Sequence, residues 1–83
     1  MKVQVRYFAS IREALGSGEA VDAEPAADVA ALRAALTARG GRYVDALGPG
    51  RSVRSARNRV LCAESTALSD GDEVGFFPPV TGG

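Results

Sequence analysis

The first residues of the chain alternate between apolar and polar side chains, which is the pattern of a β-strand with one buried face. This alternation predicts a strand over residues 2–8. Short runs of strand-forming residues predict further strands at 19–23, at 53–62, where the run is broken near Asn58-Arg59, and at 73–77. The pattern therefore indicates a sheet with strands from the whole length of the chain.

A helical period marks the middle of the sequence. Val29, Leu32 and Leu36 form one apolar stripe, which predicts a helix from Asp28 to Arg39. Asp28 stands where a side chain can cap the first free amides, and Arg39 stands at the negative end of the helix dipole. This is the main helix of the predicted fold.

A shorter helix is predicted directly after the first strand. Ser10 and Glu13 have the spacing of a capping box, in which the serine hydroxyl accepts a hydrogen bond from the N3 amide. Ile11 and Leu15 lie four residues apart on one face, and Gly16 is expected to end the helix.

The order of these elements predicts an α+β fold. Residues 43–47 predict one more helical turn, and residues 69–72 predict a tight turn in which Gly71 can take a positive φ. The economical arrangement is a mixed sheet packed against one main helix. We expect one domain over residues 1–77 and an extended tail over residues 78–83.

Length and charge narrow the possible functions. A chain of 83 residues with 46% hydrophobic residues is expected to fold as one domain that buries roughly 60–65% of its surface. Ten basic and ten acidic residues cancel, so no overall charge attracts nucleic acid or a membrane. The sequence contains neither a run of about 20 apolar residues nor a signal-peptide pattern, so we expect a cytoplasmic protein.

The residue types exclude several kinds of site. The sequence has no histidine and a single cysteine, Cys62. This excludes disulfide frameworks, zinc clusters and histidine-based triads, and no metal site is expected. Cys62 ends an apolar run, so we expect a buried, unreactive thiol.

One local cluster of charge stands out, formed by Arg51, Arg54, Arg57 and Arg59. No aromatic side chain interleaves these arginines, as it would in a surface that stacks bases. A solvated face or the rim of a partner-binding surface is therefore favoured over a nucleic-acid site.

The sequence ends in FFPPVTGG, an unusually specific pattern for a chain end. Because glycine makes up about 7% of residues, a terminal Gly-Gly pair occurs by chance in roughly 0.5% of chains. Pro78-Pro79 fixes φ at two positions, while glycine lets a backbone enter a narrow channel. Extended, residues 78–83 would span roughly 20 Å, so the pattern predicts a tail that is inserted into another protein.

Two stretches resemble a known family. Residues 68–83 resemble the C-terminus of the small, sulfur-carrier subunits of molybdopterin synthase, in the ubiquitin-like sulfur-carrier family, and residues 5–16 resemble their first strand and turn. The order of elements is similar to their β-grasp fold. Residues 40–54 show no such similarity, and Arg57-Asn58-Arg59 departs from the family, which often has an apolar residue before the asparagine and a small or polar one after it.

The resemblance implies a sulfur carrier in molybdenum-cofactor biosynthesis. A carboxylate is a poor electrophile, so an E1-like activating enzyme would adenylate Gly83 with ATP, and a donor such as a cysteine desulfurase or a rhodanese-like protein would supply sulfur. The resulting thiocarboxylate, with Val80, Thr81 and Gly82 threading behind it, would enter the large catalytic subunit and pass its sulfur to a cyclic pterin precursor. No catalytic side chain of this chain is implied, and no cofactor would be bound permanently.

A partner-binding face follows from strand parity. Side chains alternate along a strand, and in a β-grasp fold the first and last strands are parallel neighbours, so Phe8 and Phe77 are expected at one end of the open face. We predict that they bind the partner that receives the tail, together with Leu61, and that Arg12 adds an ion pair at the rim. The alternative is that both phenylalanines form a second core layer under the loops.

Three other functions remain open. The sulfur acceptor could be the thiazole of thiamine or a tRNA, or the chain could be a ubiquitin-like modifier of other proteins, although Lys2 is the only lysine available for branched chains. A passive β-grasp interaction module is the alternative from a different class. Deleting Gly83 would leave such a module unchanged and would inactivate every carrier or modifier.

Overall fold

The computed structural model describes residues 1–79 of the chain. Within them lie β1 (Lys2–Tyr7), α1 (Ala9–Leu15), β2 (Gly18–Asp22), α2 (Val29–Thr37), α3 (Arg42–Leu47), β3 (Arg54–Arg57), β4 (Val60–Cys62) and β5 (Glu73–Phe77). None of the helices in residues 1–79 is long and apolar enough to cross a membrane. The predicted roles of Val80, Thr81, Gly82 and Gly83 lie outside the described residues.

One mixed sheet holds all five strands in the order β2-β1-β5-β3-β4. The strands β1 and β5 are parallel, and the other neighbouring pairs are antiparallel. The predicted α+β class and the parallel pairing of the first and last strands are therefore confirmed.

The core lies between one face of this sheet and the helices. Three sets of fully or almost fully buried side chains meet there, from β1, α2 and β5: Val3, Val5 and Tyr7; Val29, Leu32 and Leu36; Val74 and Phe76. Burying each large apolar side chain stabilises the fold by about 1.5–3 kcal/mol. The stripe predicted for the main helix is confirmed.

The start of α1 differs from the prediction. The N-cap residue is Phe8, and no side chain caps the helix, so the capping box of Ser10 and Glu13 does not form. The reason is the sheet: the Phe8 N–H donates to the Phe76 carbonyl at 3.1 Å, which holds the chain in the sheet up to Phe8 and starts the helix at Ala9. Ser10 therefore lies inside the helix.

The start of α2 is as predicted, and its end is not. The Asp28 carboxylate accepts a hydrogen bond from the Ala31 N–H at 2.8 Å. The helix ends at Thr37 because the Arg39 N–H bonds to the Leu36 carbonyl, three residues back, in a tighter final turn. Arg39 thus lies beyond the helix.

A two-residue turn joins β3 to β4 where the sequence predicted a break. Asn58 and Arg59 have φ angles of 50° and 70°, the combination found in type I′ hairpin turns. The Asn58 side chain accepts a hydrogen bond from the Glu73 N–H at 2.9 Å and donates to the Asp72 carboxylate at 3.0 Å. A backbone hydrogen bond from Ser69 and this contact with Asn58 lower the pKa of Asp72.

The thiol of Cys62 is only half-buried, in contrast to the prediction. It packs against the core from β4, a three-residue strand at the edge of the sheet. Because an edge strand has a neighbour on one side only, Val60 and Leu61 of the same apolar run are exposed.

Candidate functional site

The face of the sheet opposite the core carries an apolar depression, which we call the open-face groove. Its volume is about 620 Å³. Its walls come from the ends of β1 and β5, from the β3–β4 hairpin and from the first residues of the tail: Phe8, Ala9, Ala56, Arg59, Leu61, Glu73, Gly75, Phe77, Pro78 and Pro79. The groove therefore brings together Phe8 and Phe77, as strand parity predicted, and also Leu61, which was predicted to bind the same partner.

The end of β1 positions Phe8. Tyr7 pairs with Phe76, and the hydrogen bond from the Phe8 N–H to Phe76 continues the parallel pairing by one step. The side chain of Tyr7 points into the core, so that of Phe8 points to the open face and is 43% exposed.

A glycine in β5 makes room for the Phe8 ring. A Cβ atom built on Gly75 would lie only 3.0 Å from Cε2 of Phe8, so the ring packs directly over the backbone of the strand. Sequence reasoning missed this contribution. The available signal was the glycine itself, because glycine inside a strand often marks the close approach of another group.

Leu61 forms the far wall of the groove. It pairs with Ala56 across the hairpin, and Ala56 pairs with Gly75 on the other side, so a small side chain and a glycine separate Leu61 from Phe8. Leu61 is 56% exposed. The exposure of Phe8 and Leu61 argues against a second core layer under the loops and favours a surface that binds another molecule.

The tail begins at the groove. The last strand ends at Phe77, and Pro78 and Pro79 are half-buried where they line the groove wall. A molecule bound in the groove would thus contact the chain immediately before its last four residues.

The charged side chains at the border of the groove make only weak contacts with one another. The Glu73 carboxylate lies 3.9 Å from Nη1 of Arg6 and 3.8 Å from Nε of Arg59. These ion pairs are solvent-exposed and beyond hydrogen-bond distance, so they contribute little to stability. Both guanidinium groups remain able to bind another carboxylate.

Arg12 does not line the groove, although we expected it at the rim. It lies on α1 beside a different depression, which Gly16, Arg42 and Tyr43 also line. Helix α1 packs against α3, which supplies Arg42 and Tyr43 to that depression.

The clearest pKa shifts of the described residues lie on the core side of the sheet, away from the groove. Tyr7 and Tyr43 each donate a hydrogen bond of 2.9 Å to the Glu19 carboxylate, which also accepts from Arg39. Burial, reinforced by Glu19, raises the pKa of Tyr7 well above its usual range. Burial alone would raise the pKa of Glu19, but the hydrogen bonds from Arg39, Tyr43 and Tyr7 have the larger effect. The pKa of Glu19 is therefore lowered.

The groove offers recognition and no chemistry of its own. It is lined by aromatic, aliphatic and proline side chains, with no nucleophile paired to a base. Among residues 1–79, no group of three acidic or cysteine side chains is placed to hold a metal ion. A reaction at this site would need its catalytic groups from a partner.

Comparison with known proteins identifies the family. The sequence profile of the ThiS family matches residues 5–83. The chain is 41% identical over 81 residues to the molybdopterin synthase sulfur carrier subunit of Escherichia coli K12, covering 98% of this chain and 99% of that one. It is 38% identical over 85 residues to the subunit of the same name from Mycobacterium tuberculosis H37Rv, covering 100% and 99%.

Solved structures agree with the fold. A protein–protein complex of subunits 1 and 2 of the molybdopterin-converting factor from Helicobacter pylori contains a chain that matches with a TM-score of 0.71 and 33% identity, covering 100% of both chains. SAMP1 from Haloferax volcanii matches with a TM-score of 0.76 and 27% identity, also over 100% of both. The fold is thus the ubiquitin-like β-grasp, and the chain belongs to the ThiS family, with its resemblance to the sulfur-carrier subunits of molybdopterin synthase confirmed over its whole length.

Proposed function

We propose that this chain is a sulfur carrier in molybdenum-cofactor biosynthesis, acting as the small subunit of a molybdopterin synthase. The observation that carries the proposal is the open-face groove at the start of the tail, in a chain 41% identical to a subunit of that name. The groove provides a docking surface without catalytic groups, which suits a carrier that is processed by its partners.

The chemistry resides at Gly83. A carboxylate with a pKa near 3.5 is anionic at neutral pH and resists nucleophilic attack, so an E1-like enzyme first joins it to AMP from ATP. The terminal sulfur of a persulfide on a donor protein, such as a cysteine desulfurase or a rhodanese-like protein, then attacks the adenylate and displaces AMP. A thiol cleaves the resulting acyl disulfide, forming a disulfide with the donor and releasing the thiocarboxylate. Its sulfur is a soft nucleophile at neutral pH, as a thiolate is.

The large synthase subunit is the partner that uses this sulfur. In our proposal the open-face groove docks on the large subunit, and the tail reaches roughly 20 Å into its active site. There the sulfur passes to a cyclic pterin precursor to build the dithiolene. The solved complex of subunits 1 and 2 from Helicobacter pylori supports an assembly of this kind.

Protein modification is the second candidate function. It is favoured by the structural match to a chain called a small archaeal modifier protein. An activated Gly83 would then form an isopeptide bond with a lysine of another protein. Carriers for other sulfur acceptors, a thiamine thiazole or a tRNA, differ from the leading proposal only in the final step.

Intact mass spectrometry tests the central step. The chain is incubated with ATP, the activating enzyme and a sulfur source, and we expect the mass increase of one oxygen-to-sulfur replacement at Gly83. A chain lacking Gly83 is the control and should not change. No increase in the wild-type chain would overturn the proposal, and a mass increase by a whole protein would favour modification. Sulfur transfer to the pterin precursor by the large subunit then identifies the acceptor.

The docking role of the groove has its own test. Replacing Phe8→Ala and Phe77→Ala together should weaken binding to the large subunit by at least tenfold, because truncating buried aromatic anchors of an interface costs 2 kcal/mol or more, roughly. Isothermal titration calorimetry measures the affinity, and Val44→Ala, an exposed apolar residue on α3, is the control. Equal affinity of the double variant and the wild type would refute the docking role.

A further inference from the structure

The hairpin geometry divides the arginine cluster between the two faces of the sheet. Arg54 pairs with Phe77, and Ala56 pairs with Gly75. Because Ala56 lines the open-face groove, Arg54, two residues before it, lies on the same face beside Phe77. Arg57 follows Ala56 on the opposite face, and its guanidinium donates to the Ala67 carbonyl at 2.9 Å.

The hairpin tip adds a second arginine to the open face. The type I′ turn places Arg59 at the border of the groove, where its side chain is 86% exposed. A non-glycine residue at φ 70° is unfavourable compared with glycine at this turn position. The structure therefore accepts a local cost and presents a cation there.

The charge around the groove is positive, although the whole chain is neutral. Arg59 and Glu73 line the groove, and strand alternation puts Arg6 and Arg54 on the same face beside it, so these three cations and one anion carry a net charge of +2. The contacts of Glu73 with Arg6 and Arg59 are longer than hydrogen bonds. The border of the groove is thus a local positive surface around an apolar centre.

We propose that Arg54 and Arg59, with Arg6, form a cationic rim that binds carboxylates on the surface of the large synthase subunit. This inference rests on the proposed function and names the chemistry of the partner face: an apolar side chain that fills the groove, surrounded by Asp or Glu residues. Exposed rim charges act mainly by accelerating association, so their contribution is largest at low ionic strength.

Association kinetics with a matched control test the rim. In the variant Arg54→Glu/Arg59→Glu, the association rate constant with the large subunit should fall at least tenfold at about 20 mM salt, and the difference should shrink to less than threefold at about 0.5 M. The control is Arg42→Glu/Arg57→Glu, which has the same net charge as the test variant but carries its substitutions away from the groove. Its association rate constant should differ from that of the wild type by less than threefold. Stopped-flow fluorescence measures both.

Two results would overturn the proposal of a cationic rim. One is equal association rates for the two double variants, and the other is a loss that does not depend on salt. If circular dichroism shows that the glutamate variant is misfolded, Arg54→Gln/Arg59→Gln replaces it, with an expected loss of about threefold under the same conditions. These experiments use the unmodified chain, whose C-terminus is a carboxylate, so they do not depend on the chemistry at Gly83. If the wild-type chain does not bind the large subunit, both proposals are refuted. If it binds equally well without these arginines, only the cationic rim is refuted.

Discussion

A single residue without a side chain shapes the docking surface. Gly75 is buried in the central strand, and a Cβ atom there would lie only 3.0 Å from the Phe8 ring. The shape of the groove thus depends on the missing side chain at this position of β5 as much as on the aromatic side chains that line it. Because an aromatic anchor works only if it is held in its binding position, the glycine matters for recognition.

Replacing Gly75→Val should displace the Phe8 ring and weaken binding to the large subunit by roughly tenfold, the loss expected when one anchor contact is misplaced. Valine favours strands, so the fold should be retained. Calorimetric titration measures the affinity. The matched control is Ala20→Val, a similar substitution on the same face in β2, away from Phe8. If both variants bind like the wild type, the packing of Phe8 over Gly75 is irrelevant to docking.

At the scale of elements, one arginine attaches the main helix to the segment after α3. Arg33 of α2 donates to the carbonyls of Leu47, Gly48 and Arg51 at 2.7, 3.1 and 2.9 Å. It also forms an ion pair with Glu64 at 2.7 Å. A segment with little regular structure is thereby held by a side chain from a neighbouring helix.

Substituting Arg33→Ala should lower the free energy of unfolding by about 2–3 kcal/mol, because hydrogen bonds to charged donors contribute roughly 1.5–3 kcal/mol and several acceptors lose their partner together. Urea denaturation measures the change. Arg33→Lys should recover only part of it, since an ammonium group cannot match the planar fork of a guanidinium. Arg42→Ala, at an exposed position on α3, is the control and should stay within about 0.5 kcal/mol of the wild type. A loss no greater than that of the control would contradict this role for Arg33.

The sequence predicted the elements that depend on local pattern. The strands, the stripe of α2 and the turn at Asn58-Arg59 follow from periodicity and turn chemistry, and all three are confirmed. The start of α1 was wrong because a contact with a strand almost 70 residues away, through Phe76, competes with the local capping box. The anchoring of residues 47–51 by Arg33 was not predictable, because no local pattern shows which helix will face a loop.

The candidate site, like the fold, could be predicted in part from the sequence. Parity placed Phe8 and Phe77 on one face because it needs only strand direction and pairing, and Leu61 lies on that face as well. Strand parity does not apply to helices: Arg12 lines a different depression, and its ion pair with a partner stays a prediction. The binding of a partner by the three groove residues also stays a prediction.

At the scale of the whole molecule, one carboxylate joins three elements and the loop that follows a fourth. Glu19 of β2 is bound by Tyr7 of β1 and Tyr43 of α3, and by Arg39 just beyond α2. Its pKa is lowered in the folded state, so the folded protein holds this proton less tightly than the unfolded chain does. The stability that results is complete above the unfolded pKa of about 4.3 and is lost as the pH falls from there through the lower folded value.

Replacing Glu19→Gln should therefore reduce the slope of stability against pH below about pH 5 and should lower stability at pH 7. Part of the slope should remain, because the pKa of Asp72 is also lowered. Thermal unfolding followed at a series of pH values measures both effects. Glu24→Gln, at an exposed position outside this network, is the control. A slope identical to that of the wild type would show that Glu19 is not the group responsible.

Pro78-Pro79 connects the folded domain to its proposed reactive end, and it also lines the groove. A segment with fixed φ loses less entropy on docking, by about 0.4–1 kcal/mol for each proline. Pro78→Ser/Pro79→Ser should thus weaken binding to the large subunit by roughly five- to tenfold while thermal stability changes by less than about 1 kcal/mol. Pro25→Ser, an exposed proline before α2, should leave the affinity unchanged in the same titration. Equal affinities of the tail variant and the wild type would mean that these prolines contribute no preorganisation.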